Sequence, residues 1–245
     1  LGCTIDGIRI VSDNYYSGGL MLKGGSISTI KNNILHTTGS TAATGNELFR
    51  TQTSVAYIFA NNLVFGSGGT GAYFYPYASG AAQIYNNTIT KNATGVTGGT
   101  SVGGKYQNNI VVGNTTNWGT APGSADKMAF NFGESGDSIW DDGSATSETM
   151  STSDFADFAN DDFSPALSTS PQVDGGTRIY NGFLVDIADS VRPNYDPDGA
   201  ELIDAGCYEY DHGNGLAPTT VTVEIDGMIE GSVMAIYNSS TNAEI

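Results

Sequence analysis

Residues 194–204 carry oxygen-bearing side chains at the alternating positions that a metal loop uses. Asn194, Asp196 and Asp198 stand at positions one, three and five of a calcium-loop pattern, with Gly199 at six. Ala200 would offer its carbonyl and Asp204 would close the shell, although Ala205 fills position twelve, where such loops carry an acid. Calcium is therefore the one cofactor these residue types suggest, set against a metal-free Asp/Pro/Gly turn. A second constellation is aromatic. In the run Tyr73-Phe74-Tyr75-Pro76-Tyr77, the tyrosines Tyr73, Tyr75 and Tyr77 share one face of a strand. Rings on a flat sheet can stack on sugars or pack against a neighbouring subunit. Acid–base chemistry finds less. His36 and His212 make neither a triad nor a metal site. Asp137, Asp141 and Asp142 are the nearest carboxylates for a hydrolase, which needs a pair about 5–10 Å apart, but they read as a solvated loop.

The elements that position these residues are announced by a repeat. Ile30-Lys31-Asn32-Asn33-Ile34-Leu35, Phe59-Ala60-Asn61-Asn62-Leu63-Val64, Ile84-Tyr85-Asn86-Asn87-Thr88-Ile89 and Tyr106-Gln107-Asn108-Asn109-Ile110-Val111 align directly. A degenerate copy, Thr4 to Ile10, precedes them. Taking Gly7 with Asn33, Asn62, Asn87 and Asn109 gives intervals of 26, 29, 25 and 22. A variable period in the twenties fits a β-solenoid coil of three short strands and three turns, whereas a leucine-rich repeat would place Leu at fixed positions. Stacked coils set like residues above one another about 4.8 Å apart. Asn33, Asn62, Asn87 and Asn109 then form a structural ladder whose amides satisfy one another inside the coil. The expected fold is all-β: a right-handed parallel β-helix of three-strand coils over residues 1–117.

Composition agrees. The 245-residue chain has 33 Gly and only 14% charged residues, which suits many short strands joined by turns. Its 13 Tyr, 10 Phe and 39% hydrophobic content are too high for disorder. A net charge of −17 repels phosphate backbones and argues against nucleic-acid partners. No apolar run approaches the ~20 residues of a membrane span, so membrane insertion is not expected. Cys3 and Cys207 lie at opposite ends of the main domain, and in a long solenoid they read as free thiols. Four N-glycosylation sequons begin at Asn86, Asn92, Asn114 and Asn238, as chance allows in so Asn- and Thr-rich a chain.

After Asn114 the pattern changes. Residues 118–211 read as an irregular C-terminal end and cap, with Phe155 and Phe158 on one face of a short helical turn. Asn160-Asp161-Asp162-Phe163, Ser170-Pro171-Gln172-Val173-Asp174-Gly175, Arg192-Pro193 and Ile203-Asp204-Ala205-Gly206-Cys207-Tyr208-Glu209-Tyr210 follow in that order. The set resembles the C-terminal end of secreted right-handed β-helix proteins of the pectate-lyase-like superfamily. Ala205 and Cys207 depart from the Gly and Ala of that pattern, and residues 194–201 look inserted. Residues 212–218 read as a linker and 219–245 as the start of a β-sandwich-like module. The opening inside a strand and the closing half-hairpin read as a segment of a longer polypeptide.

The resemblance implies lyases with an Arg or Lys base and Asp-bound calcium. Here Lys31, Arg50, Lys91 and Lys105 are scattered and make no basic groove for a polyanion. The sequence thus points to a non-catalytic structural or adhesive segment of a larger extracellular, cell-surface or virion-surface protein, fibre-like in character. Its candidate partners are a polysaccharide or cell-surface glycan and further copies of itself, as a trimer or filament. The alternative is a polysaccharide lyase or glycoside hydrolase of the β-helix type.

Overall fold

In the computed structural model each coil turns on a two-residue corner. The first corner residue takes the left-handed conformation: Gly7, Asn32, Asn61, Asn86, Asn108 and Phe130 have φ between 51° and 66°. Asn and Gly enter this region at low cost. From Asn33 onward the second corner residue points inward, and this is where the ladder lies. Asn62 donates from both its backbone N and its Nδ2 to Asn87 Oδ1 at 3.0 Å, and Asn87 does the same to Asn109 Oδ1 at 3.2 and 2.9 Å. Each Nδ2 also donates to a carbonyl of the preceding coil, as Asn87 does to Phe59 O at 2.9 Å.

The described residues are 3–12, 19–23, 28–37, 47–52, 56–74, 82–98, 104–120, 127–141, 143, 147–177, 186–188, 194–195 and 201–210. The corners join three parallel sheets. The first stacks Cys3–Asp6, Ser28–Lys31, Tyr57–Ala60, Ala82–Tyr85, Gly104–Gln107 and Lys127–Ala129. The second stacks Arg9–Ser12, Ile34–Thr37, Leu63–Phe65, Thr88–Thr90, Ile110–Val112, Phe132–Gly133 and Glu148–Thr149. The third has five strands, Leu20–Lys23, Glu47–Gln52, Thr70–Phe74, Thr94–Gly98 and Thr116–Trp118. Among the described residues five three-strand coils are therefore complete, and they form a parallel β-helix.

Strand register aligns the core into columns. Ile5, Ile30, Phe59, Ile84, Tyr106 and Met128 run down the first sheet. Ile10, Leu35, Val64, Ile89 and Val111 run down the second, and Leu20, Phe49, Ala72, Val96 and Trp118 down the third. Where Ala72 leaves room, Phe49 and Phe59 stack at 4.0 Å and Phe74 meets Phe59 edge-on at 5.6 Å.

Three features differ from the sequence expectation. Asp6 pairs with Lys31, so Gly7 falls opposite Asn32, and Ile8 takes the ladder position opposite Asn33. The first interval is therefore 25, and Ile8 N donates to Asn33 Oδ1 at 3.0 Å. The coils also continue past residue 117. Asn131 accepts from Asn109 N and Nδ2, 22 residues away, and extends the ladder into a sixth coil. Finally, Phe155 and Phe158 stack at 5.8 Å, but on a short strand (Phe155–Asp157) and a 3₁₀ turn (Phe158–Asn160).

Contacts divide the chain into the units Leu1–Gly215 and Leu216–Ile245. The expected linker and sandwich-like module lie outside the described residues, as do Tyr75, Tyr77, Asp196, Asp198 and Ala200. Among the described residues no helix is long and apolar enough to cross a membrane.

Asn87→Ala removes an acceptor from two Asn62 donors and strands Asn109 Oδ1 and Phe59 O short of a donor. It is expected to cost about 2–4 kcal/mol, read as a lower midpoint in urea unfolding. Asn87→Asp sets a carboxylate against two acceptors and is expected to cost more than the alanine.

Candidate functional site

The middle strands of the second sheet, Leu63–Phe65, Thr88–Thr90 and Ile110–Val112, are buried on both faces. Val64, Ile89 and Val111 enter the coil interior, while Leu63, Phe65, Ile110, Val112 and Phe132 form a second core outside it with Phe155, Phe163, Ala205 and Cys207. The tail supplies this cover. The antiparallel pair Phe155–Asp157 and Asp162–Pro165 brings its rings onto Phe65, with Phe163 edge-on at 5.1 Å.

The left-handed corner residues hold the rest of the tail by its backbone. Asn108 accepts from Thr177 N at 3.0 Å and donates to Thr177 O at 2.7 Å. Asn86 Nδ2 donates to Asp204 O at 3.1 Å, and Gly206 N donates to Asn108 O at 2.7 Å. Gly206 has φ +82°, and a Cβ there would meet Ile110 Cδ1 at 2.5 Å, so the approach of the tail at this point calls for glycine. The tail acids are likewise engaged. Asp204 Oδ1 accepts from Asp174 N at 2.7 Å and its Oδ2 from Tyr210 N. Asp186 accepts from Glu209 N and Ala188 N, both at 2.8 Å. Cys207 is buried.

The second corner repeats the design of the first. Gly66, Lys91 and Gly113 are left-handed, and Ser67, Asn92 and Asn114 follow them inward. Ser67 N donates to Asn92 Oδ1, and Asn92 N and Nδ2 donate to Asn114 Oδ1 at 2.8 and 3.0 Å. Asn114 continues to Asn117, whose Nδ2 ends on Glu134 and Asp137 at 2.7 and 3.0 Å. Asn92 and Asn114 are thus ladder residues rather than open glycosylation acceptors. Their signal in the sequence was the shared 22-residue step.

Of the tyrosines, Tyr73 lies on the outer face of the third sheet, in register with Arg50 and Thr97. The Arg50 guanidinium sits 5.3 Å from its ring centre and 3.2 Å from Glu47. Thr70, Thr94 and Thr116 stack alongside, below Glu47. Asn194 belongs to a hairpin in which Asn194–Tyr195 pairs with Glu201–Leu202, bringing the two ends of the proposed calcium loop together. Among the described residues no group of three His, Cys, Asp or Glu is arranged to hold a metal ion. Asp137 is bound by Asn117 and Glu134 N, and Asp141 accepts from Gly143 N and Ser147 N.

His36 is a strand residue, in Ile34–Thr37, rather than part of a turn. Its ring stacks on Phe65 at 4.8 Å, and its Nε2 faces Arg9 Nε at 3.2 Å and Nη2 at 3.0 Å. Burial, then the Arg9 charge, hold its pKa below the ordinary 6.5, against an opposing backbone bond at Thr37 and the charge of Asp161. A depressed folded-state pKa means the unfolded chain takes up the proton first. The stability that neutral His36 contributes is full above 6.5 and falls as pH drops below it. His36→Phe keeps a ring on Phe65 and is expected to lose that component. Melting temperatures of the two proteins across the acid range should converge as pH falls.

Family models, curated proteins and solved structures give no match to this chain, so the parallel β-helix rests on the coil geometry itself.

Proposed function

We propose that this chain is a stiff, non-catalytic structural or adhesive segment of a larger extracellular or virion-surface protein, with the outer face of its third sheet as a glycan-contact surface. The observation that carries the reading is the Arg50–Tyr73 pair. A ring on a flat parallel sheet is flanked by a cation at 5.3 Å and a file of threonine hydroxyls. A sugar ring stacks on the tyrosine face while its hydroxyls meet Arg50, Glu47 and the threonines. The ladders and the two-sided second sheet supply the rigidity such a surface needs. Trimeric or filamentous self-assembly belongs to the same reading, because repeated weak sites gain avidity when several copies are linked.

Glycan-array binding tests this. Binding that Tyr73→Ala weakens by about fivefold or more supports it, on the scale of one lost stacking contact. Release of unsaturated or reducing sugars from an acidic polysaccharide would instead make the chain a lyase or hydrolase.

Calcium is proposed at the 194–204 loop, with Asn194, Asp196, Asp198 and the Ala200 carbonyl as its oxygen ligands. Added calcium is then expected to raise the melting temperature, and Asp196→Asn with Asp198→Asn to abolish the rise. An unchanged melting curve would remove calcium from the account.

A further inference from the structure

On the outer side of the first corner, the first two coils and the tail enclose a cleft of 260 Å³. Asp6, Ile8 and Arg9 of the first coil line it with Asn32 and Ile34 of the second and Ile187 of the tail. The cation in this cleft is held in an unusual way for so acidic a chain. Lys31, Arg50 and Lys91 each meet a carboxylate, on Asp6, Glu47 and Asp161. Arg9 meets an imidazole. Its Nε and Nη2 both converge on His36 Nε2, which accepts only as the neutral ring. The guanidinium is thereby oriented by a neutral group, and among the described residues no carboxylate pairs with it. The nearby Asp6 is engaged elsewhere, by Lys31 Nζ at 3.2 Å and Asn32 Nδ2 at 2.9 Å.

Beside Arg9 and Asp6, three isoleucines share the wall with Gly7 and Asn32. Ile8 is 42% exposed, and Ile34 and Ile187 are partly covered. Among the described residues that line it there is no aromatic ring, the element on which a sugar face would stack. The volume lies below the roughly 300–1,000 Å³ of drug-sized sites, which suits one residue rather than an oligomer. A carboxylate pairs with a preoriented guanidinium through two parallel hydrogen bonds, and an aliphatic side chain fits between isoleucines.

We propose that this cleft captures the carboxy-terminal residue of a partner polypeptide that ends in an aliphatic amino acid, with the carboxylate on Arg9 and the side chain against Ile8, Ile34 and Ile187. The site is separate from the third-sheet surface, and binding there is independent of any glycan.

The test is a titration of the isoleucine-methyl-labelled chain, followed by NMR, with N-acetyl-L-leucine, N-acetyl-L-leucinamide, N-acetylglycine and glucuronate. N-acetyl-L-leucine is expected to shift the methyls of Ile8, Ile34 and Ile187, and the amide, which lacks the charge, is not. Arg9→Gln should weaken N-acetyl-L-leucine by about tenfold or more, the scale of one charged hydrogen-bonded contact. Ile187→Ser keeps Arg9 and His36 in place, and it should weaken N-acetyl-L-leucine while leaving N-acetylglycine unchanged. Equal shifts from the acid and its amide would overturn the proposal, as would no shift with N-acetyl-L-leucine. Arg9-dependent binding of glucuronate in preference to N-acetyl-L-leucine would overturn it in favour of an acidic-sugar site.

Discussion

The buried asparagine amide is the constraint on which the coils depend. An amide in a dry interior carries two donors and an acceptor, and leaving them unmet costs more than most side-chain contacts return. A stack of identical amides meets this demand only if every coil places the same atom at the same height. The residues from Asn33 to Asn131 do so. Fixing that height fixes the register of each flanking strand, because a one-residue slip would turn every side chain to the opposite face. The columns from Ile5 to Met128 and from Ile10 to Val111 follow from the same alignment. At its two ends the ladder closes on backbone groups. Ile8 supplies only its backbone N–H at one end, and Asn131 finds Trp140 O at 2.9 Å at the other.

Each Asn-Asn pair divides its work across the wall of the coil. The inner asparagine holds neighbouring coils together, and the outer one, in the left-handed conformation, can bond elsewhere: Asn32 meets Asp6, while Asn86 and Asn108 face the tail. Asn86 and Asn108 read only backbone atoms there, Asp204 O and the N and O of Thr177. Tail side chains are therefore chosen for closeness and cover: Gly206 at the approach, and Phe155, Phe163 and Ala205 over the outer core. The tail acids Asp186 and Asp204 serve backbone amides in the same way. Polar residues that look chemically active in a sequence are thus used here to hold one piece of backbone against another.

This explains what the sequence disclosed and what it concealed. Four Asn-Asn pairs with apolar flanks were legible because both corner positions kept the same residue. The sixth coil was hidden by Phe130 at the left-handed position, and the second ladder by the mixture of glycine and lysine there, Gly66, Lys91 and Gly113. In both cases the inward position still carried the message. The first coil was misframed because Gly7 satisfies the backbone demand of Asn32, while Ile8 abandons the amide. The two-sided burial of the second sheet had a visible trace in the unbroken runs Leu63-Val64-Phe65 and Ile110-Val111-Val112, the pattern of strands covered on both faces. Thr88-Ile89-Thr90 masked it in the coil between, where Thr88 Oγ1 accepts from Cys207 N and Thr90 Oγ1 donates to Val112 O. For the candidate sites, Tyr73 could be placed on a face from alternation alone. The Arg9–His36 pair could not, because its members are 27 residues apart and meet only when coils stack.

Lys91 shows how strain and cover are balanced in this architecture. It stands where the neighbouring coils carry Gly66 and Gly113, at φ 53°, a conformation that costs a residue with a Cβ roughly 1–2 kcal/mol. Glycine would avoid that cost, so the side chain must return something comparable. Its ammonium lies 4.8 Å from the Phe158 ring and 5.5 Å from Phe163, and it also meets Asp161 and the carbonyl of Ala159. Two exposed cation–π contacts at about 0.5–1 kcal/mol each, with a surface ion pair of at most about 1, offset the strain. All of these partners lie on the tail, and none exists unless the tail is seated. Lys91 therefore acts as a latch, converting backbone strain in one coil into a preference for the covered state of the second sheet.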